Sequence, residues 1–220
     1  MQANEKQANE KPEGFRRVLS FDASTKTIGV SVIDYKEHWV TGLPQIGLVH
    51  SEAYSPPRKG NILARLHAVR EKIAEYIATW EPDDVALEEI MLFMQGKSNA
   101  KTITSLAVLN RTVGLAIFDL MGKPPEMLHV SSIRASLKIN DQRPKKEDMP
   151  DIVAHHLGIT FPWIMDKKGK IAVESYDMAD GIAVGLAFIV LNSAEKKPRK
   201  TSKKKTTRAK KPKRRKDGYS

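Results

Sequence analysis

Apolar positions fall into short alternating or β-branched runs early in the chain and into runs spaced three and four apart later. Arg17 to Phe21 is a short apolar run that ends in an acid, Asp22. A polar turn, residues 23–26, leads to the β-branched run Ile28 to Ile33, and the pair predicts a hairpin. Ile46 to Val49 predicts a third strand before Pro56, Pro57 and Gly60 break the chain. From Asn61 to Trp80, apolar residues at Ile62, Leu66, Val69, Ile73, Ile77 and Trp80 predict an amphipathic helix, with Asn61 as N-cap and Pro82 as its stop. Asp84 to Leu87 then predicts a buried strand running into Glu88 and Glu89.

A loop, Gln95 to Asn99, precedes a second helix over Ala100 to Leu120, ended by Gly122, Pro124 and Pro125. Met127 to Val130 predicts a fifth strand, and the polar, basic stretch Lys138 to Glu147 a loop. Asp148 and Pro150 suit the start of a third helix that reaches Leu157 and closes at Gly158. Residues 161–172 read as irregular, and Glu174 to Leu191 as the last helix. Gly181 and Gly185 lower the helix propensity there, so close packing of that helix against a sheet is expected. The order β-β-β-α-β-α-β-α-α predicts an α/β protein: one five-stranded mixed sheet flanked by helices.

Composition narrows the function. The 220 residues have room for one ordinary domain, and 40% hydrophobic content supports a core. Absence of cysteine excludes a disulfide scaffold, a thiol nucleophile, a Cys-based zinc finger and an iron–sulfur cluster. The longest unbroken apolar run, Ile182 to Leu191, is too short to span a bilayer, so no membrane partner is expected. The polar N-terminus lacks the apolar region of a secretory signal. A cytoplasmic, DNA-associated protein is the expectation, or an organellar or nuclear one if the source is eukaryotic.

The charge is unevenly placed. The stretch 195–220 holds fourteen Lys/Arg against Glu195 and Asp217, a charge of +12; the chain's formal +11 leaves −1 for residues 1–194. Residues 1–15, with the tandem repeat Gln-Ala-Asn-Glu-Lys, read as a disordered arm, 16–194 as the folded domain and 195–220 as a disordered tail. Such a tail binds DNA without sequence preference through counterion release, with Lys204, Lys211 and Arg214 among its contacts. A nuclear localisation signal is the alternative reading of the run Lys210 to Lys216.

Four acids sit in unusual settings. Asp22 and Glu88 follow apolar strands, and Asp177 and Asp180 lie three apart near the start of the last helix, on one face. Strand-end carboxylates are costly to bury as lone charges. Brought together, such hard oxygen ligands suit Mg²⁺, and two ions would hold the attacking water and the leaving oxygen of a phosphodiester hydrolysis. The alternative for each acid is an ordinary turn, N-cap or helix-dipole role. Alternation sends Glu88 and Glu89 to opposite sides of their strand, and sequence leaves open which one faces the others.

Three segments together carry a resemblance. Val18-Leu19-Ser20-Phe21-Asp22-Ala23-Ser24 with Gly29, then Ala86-Leu87-Glu88 with Ile90, then Ser175-Tyr176-Asp177-Met178-Ala179-Asp180-Gly181 resemble, in order and spacing, the acidic motifs of RuvC-type Holliday-junction resolvases. The match spans about residues 17–191. The turn after Asp22 lacks the family's common Pro-Gly and is closer to phage-type members. The resemblance implies an RNase H-like fold and a homodimeric, metal-dependent endonuclease that nicks four-way and other branched DNA symmetrically. It implies Asp22, Glu88, Asp177 and Asp180 as ligands of two Mg²⁺ ions, with Mn²⁺ as a substitute. It further implies Lys146 and Arg134 beside the scissile phosphate, Phe93 as a wedge into the junction, and the helix 100–120 as the dimer helix. Two rivals remain at this stage. One is a non-catalytic, structure-selective DNA-binding protein; the other is a phosphotransferase of the actin or sugar-kinase kind, which needs two similar domains.

Overall fold

The computed structural model describes residues 10–36, 44–57, 60–90 and 100–195. Strands β1 (Arg16–Ala23), β2 (Ile28–Lys36) and β3 (Gln45–Tyr54) form an antiparallel meander. Helix α1 (Ile62–Trp80) leads to β4 (Asp84–Glu89), and α2 (Ala100–Met121) to β5 (Glu126–His129). Helices α3 (Val130–Ser136), α4 (Met149–Leu157) and α5 (Val173–Glu195) complete the chain. The sheet order is β3-β2-β1-β4-β5, with β4 parallel to both β1 and β5. The five-stranded mixed sheet flanked by helices is thus the architecture read from the sequence.

Strand parity divides the core in two. Leu19, Phe21, Val30, Val32, Val85 and Leu87 face α1 and α2. Val18, Ile33, Tyr35 and Ala86 face the other way, onto α5 with α3 and α4 behind it. Helix α5 is buried along most of its length, from Met178 to Ile189, which is why it is apolar nearly all round.

Several local expectations hold at atomic detail. The Asn61 side chain accepts a hydrogen bond from the Ala64 N–H at 2.9 Å and caps α1. Gly158 ends α4 with φ +65°, a backbone shape glycine takes without a Cβ penalty. The glycines of α5 do pack closely: a Cβ on Gly181 would stand 2.6 Å from the Gly29 carbonyl carbon, and one on Gly185 2.8 Å from Ser20 Oγ. One buried ion pair, Arg17 Nε to Asp34 Oδ1 at 2.6 Å, ties β1 to β2. Arg17 Nη2 also donates to Asp34 Oδ2 at 2.8 Å, so the fork is bidentate.

Other expectations are corrected. Residues 10–15, placed in the free arm by the sequence, lie against the domain: Lys11 pairs with Asp83, and Lys36 Nζ stands 5.8 Å from the Phe15 ring centroid. Asp148 makes no side-chain cap of α4 and instead accepts from the Lys145 N–H. Helix α3 was not expected, because seven residues without a side-chain cap carry too little periodicity. The segment read as irregular holds a bridge between Met165 and Ile171. The unbroken apolar runs are each too short to cross a bilayer, yet by length and composition α2 is apolar enough to do so. Its Leu109, Val113, Ala116 and Ile117 are buried in the domain, whereas Val108, Leu115 and Phe118 are exposed. Phe93 and the tail residues Lys204, Lys211 and Arg214 lie outside the described residues.

Candidate active site

Phe21 pairs with Leu87 across the parallel β1–β4 ladder, so the next residues, Asp22 and Glu88, emerge side by side at the strands' C-terminal ends. Val18, Ser20 and Asp22 share one face of β1; Ala86 and Glu88 share that same face of β4. That face carries α5. Ser20 Oγ donates to the Gly181 carbonyl at 2.9 Å, and the Ser31 hydroxyl reaches the same oxygen at 3.3 Å. With no side chain on Gly29 or Gly181, the first turns of α5 descend onto β2 and carry Asp180 to the strand ends.

Asp22, Glu88 and Asp180 line one cleft of about 410 Å³, together with Ser24, Arg134 and Lys146. Lys146, from the loop before α4, pairs with Asp180 Oδ2 at 3.2 Å. Arg134 comes from α3, the short helix absent from the sequence reading. Asp177 stands one turn earlier on α5 and is not part of the cleft wall, although its charge reaches Asp22 and Asp180. Glu89 turns the other way and binds Arg111 Nη2 at 2.9 Å, so Glu88 is the acid that faces the cleft.

The electrostatics of the cleft are those of crowded carboxylates. Burial pushes the Asp22 carboxyl well above its usual range, and the charges of Glu88 and Asp180 push it further. Burial likewise raises Glu88 to about 7, with Asp180 adding to the effect and Arg134 and Lys146 opposing it. Asp180 is raised by burial against the pull of Lys146. Burial disfavours the Lys146 ammonium, but Asp180 outweighs it and holds the lysine above its ordinary value. Three carboxylates in the cleft, with Asp177 one turn away, therefore share two cations, and the excess negative charge suits a hard divalent ion. Among the described residues, no three His, Asp or Glu side chains already surround one point at ligating distance. The donor chemistry fits Mg²⁺, while the ligand shell is not preassembled.

Sequence reading missed one supporting residue. Asn110, fully buried on α2, donates from Nδ2 to the Glu88 carbonyl at 2.8 Å and fixes the end of β4. Its signal was available: an amide at a helix position whose neighbours Leu109 and Val113 point into the core.

No protein-family model matches the sequence, and no curated protein matches it significantly. Solved structures do match. RuvC of Thermus thermophilus superposes with a TM-score of 0.60 at 18% identity, over 81% of this chain and 96% of that one. The same organism's RuvC in complex with a Holliday junction substrate gives 0.59 at 17% identity, with the same coverage. The yeast mitochondrial Holliday junction resolvase Ydc2 gives 0.56 at 12% identity, over 87% of this chain and 84% of that one. By its sheet order, its layers and these neighbours, the chain has the RNase H-like fold in its RuvC-type form.

Proposed function

We propose that this chain is a divalent-metal-dependent endonuclease that resolves four-way DNA junctions, acting as a homodimer. The observation that carries the reading is the meeting of Asp22, Glu88 and Asp180 in one cleft with Lys146 and Arg134. Acids from two strands and a helix, distant in sequence, converge there, and burial together with neighbouring carboxylates raises Asp22 and Glu88. A cluster kept at that cost is suited to a cation. The neighbouring structures add weight, since Ydc2 is a Holliday junction resolvase by name and one RuvC structure holds a Holliday junction substrate.

Asp22, Glu88 and Asp180, with Asp177 one turn away, would hold Mg²⁺. Bound there, Mg²⁺ supplies Lewis-acid activation of the attacking water and neutralises the leaving oxygen. Lys146 and Arg134 would face the scissile phosphate and stabilise the charge that grows on it during attack. Asn110 would keep Glu88 in register by holding its carbonyl. The apolar wall of the cleft, with Ile90, Ile103 and Met149, limits water around these charges and strengthens them. The exposed Val108, Leu115 and Phe118 of α2 supply an apolar stripe suited to a second copy. The cationic tail would add affinity for DNA of any shape.

The test is cutting of a synthetic four-way junction with and without Mg²⁺. Paired, symmetric nicks that need the ion are expected. Junction binding without cutting in Mg²⁺ or Mn²⁺ would favour the non-catalytic reading instead. A two-domain phosphotransferase is disfavoured, because the described residues build one sheet.

A further inference from the structure

A second cavity, about 230 Å³, opens between α1 and α2. It and the acid cleft share two elements. Ser24 of the β1–β2 turn and Ile103 of α2 line the acid cleft; the adjacent Thr25, and Lys101 and Ser105, line the second cavity. Val69 and Leu109 form its apolar floor, and no described acid lines it.

Arg65 of α1 is the informative group. Its Nη2 donates to the Thr25 carbonyl at 2.9 Å. Its Nε is buried and finds no acceptor among the described residues. A buried charged donor left unpaired is costly, so an acceptor is expected there. The guanidinium fork suits an anion that offers more than one oxygen, and Lys101 adds a second positive charge. The hydroxyls of Thr25 and Ser105 can donate to the same ligand.

We propose that Arg65, Lys101 and the Thr25 and Ser105 hydroxyls form a second phosphate site, which takes a backbone phosphodiester flanking the one in the acid cleft. The inference rests on the nuclease reading and extends it. A strand threaded past Asp22 carries a phosphate at every nucleotide, and the β1–β2 turn gives Ser24 to one cavity and the adjacent Thr25 to the other. Arg65 also braces that turn through the Thr25 carbonyl. A phosphate docked on Arg65 would therefore set which linkage reaches Asp22.

The experiment is a binding cycle on the full chain in EDTA, so that nothing is cut. A four-way junction is prepared with single neutral methylphosphonate linkages at successive positions around the cleavage point. The unaltered protein should lose about tenfold in affinity at one flanking position, the scale of one charge-assisted hydrogen bond. In Lys101→Ala and in Arg65→Lys, which keeps the charge but not the fork, that loss should shrink at this position and persist at the others. Lys101 is exposed, so its removal does not threaten the fold. Equal penalties at every position in both variants would overturn the site and leave Arg65 Nε to water. Failure of the unaltered protein to bind the junction would remove the nuclease reading, and this site with it.

Discussion

The backbones of Gly29 and Gly181 touch. A Cβ built on Gly181 would stand 2.6 Å from the Gly29 carbonyl carbon and 2.8 Å from its oxygen, and one on Gly29 would collide with the Asp177 carbonyl oxygen. This contact sets the height of α5 above the sheet, and so the position of both aspartates that α5 carries. Gly181→Ala gains helix propensity worth roughly 1 kcal/mol but must lift α5 off β2. Overpacking of this kind costs about 1–3 kcal/mol, with backbone on both sides of the clash and no flexible side chain to yield. Urea unfolding should show net destabilisation, and calorimetry should show weakened Mg²⁺ binding. A fully stable Gly181→Ala protein with normal ion affinity would refute the link.

Asp22 lies at the centre of the crowded carboxylates. Asp22→Asn removes one negative charge and one hard oxygen ligand while keeping the shape. Junction cutting should fall by at least about 10²-fold. Junction binding in EDTA should change little. The metal-free variant should also melt higher than the unaltered protein, because the cost of burying that carboxyl, and of placing it beside Glu88 and Asp180, has been removed. A lower melting temperature would mean that Asp22 is structural.

Glu88 ties stability to pH. Its carboxyl is raised to about 7 in the folded protein, above its ordinary value of 4.5. The folded state therefore keeps a proton that the unfolded chain has already released. Its contribution is fully present below about pH 4.5 and is lost as pH rises through 7. Each pH unit crossed in that window costs the metal-free protein up to about 1.4 kcal/mol. Melting curves in EDTA should fall from pH 5 to 7.5, and Glu88→Gln should flatten the fall. Mg²⁺ should restore more stability at pH 7.5 than at pH 5, since ionised carboxylates would be its ligands. Identical Mg²⁺ shifts at both pH values would contradict this.

Helix α2 offers Leu115, 58% exposed, and Phe118, 49% exposed, on one stripe with Val108. Paired with a second copy, these side chains would leave water. Leu115→Asp with Phe118→Asp should convert a dimer to a monomer in sedimentation velocity, with little loss of monomer stability because both side chains are already outside the core. Cutting should then lose its symmetry, with single nicks replacing paired ones. An unchanged sedimentation coefficient would place the interface elsewhere.

The amino-acid pattern alone determined the strands, the long helices and the order of the elements, because periodicities of 2 and 3.6 are local properties of the backbone. It also picked out Asp22, Glu88, Asp177 and Asp180 as acids in costly places. The meeting of Asp22, Glu88 and Asp180 was decided by tertiary structure: by the parallel pairing of β1 with β4, and by a glycine contact between β2 and α5. The choice between Glu88 and Glu89 was likewise invisible locally, since strand alternation separates them but does not say which face receives α5. Arg134 reaches the cleft on a helix too short to leave a periodic signal, and the Arg65 cavity exists only where α1 and α2 meet the β1–β2 turn. Local sequence specifies how each segment folds; which charges must then share a space depends on contacts between residues far apart in the chain.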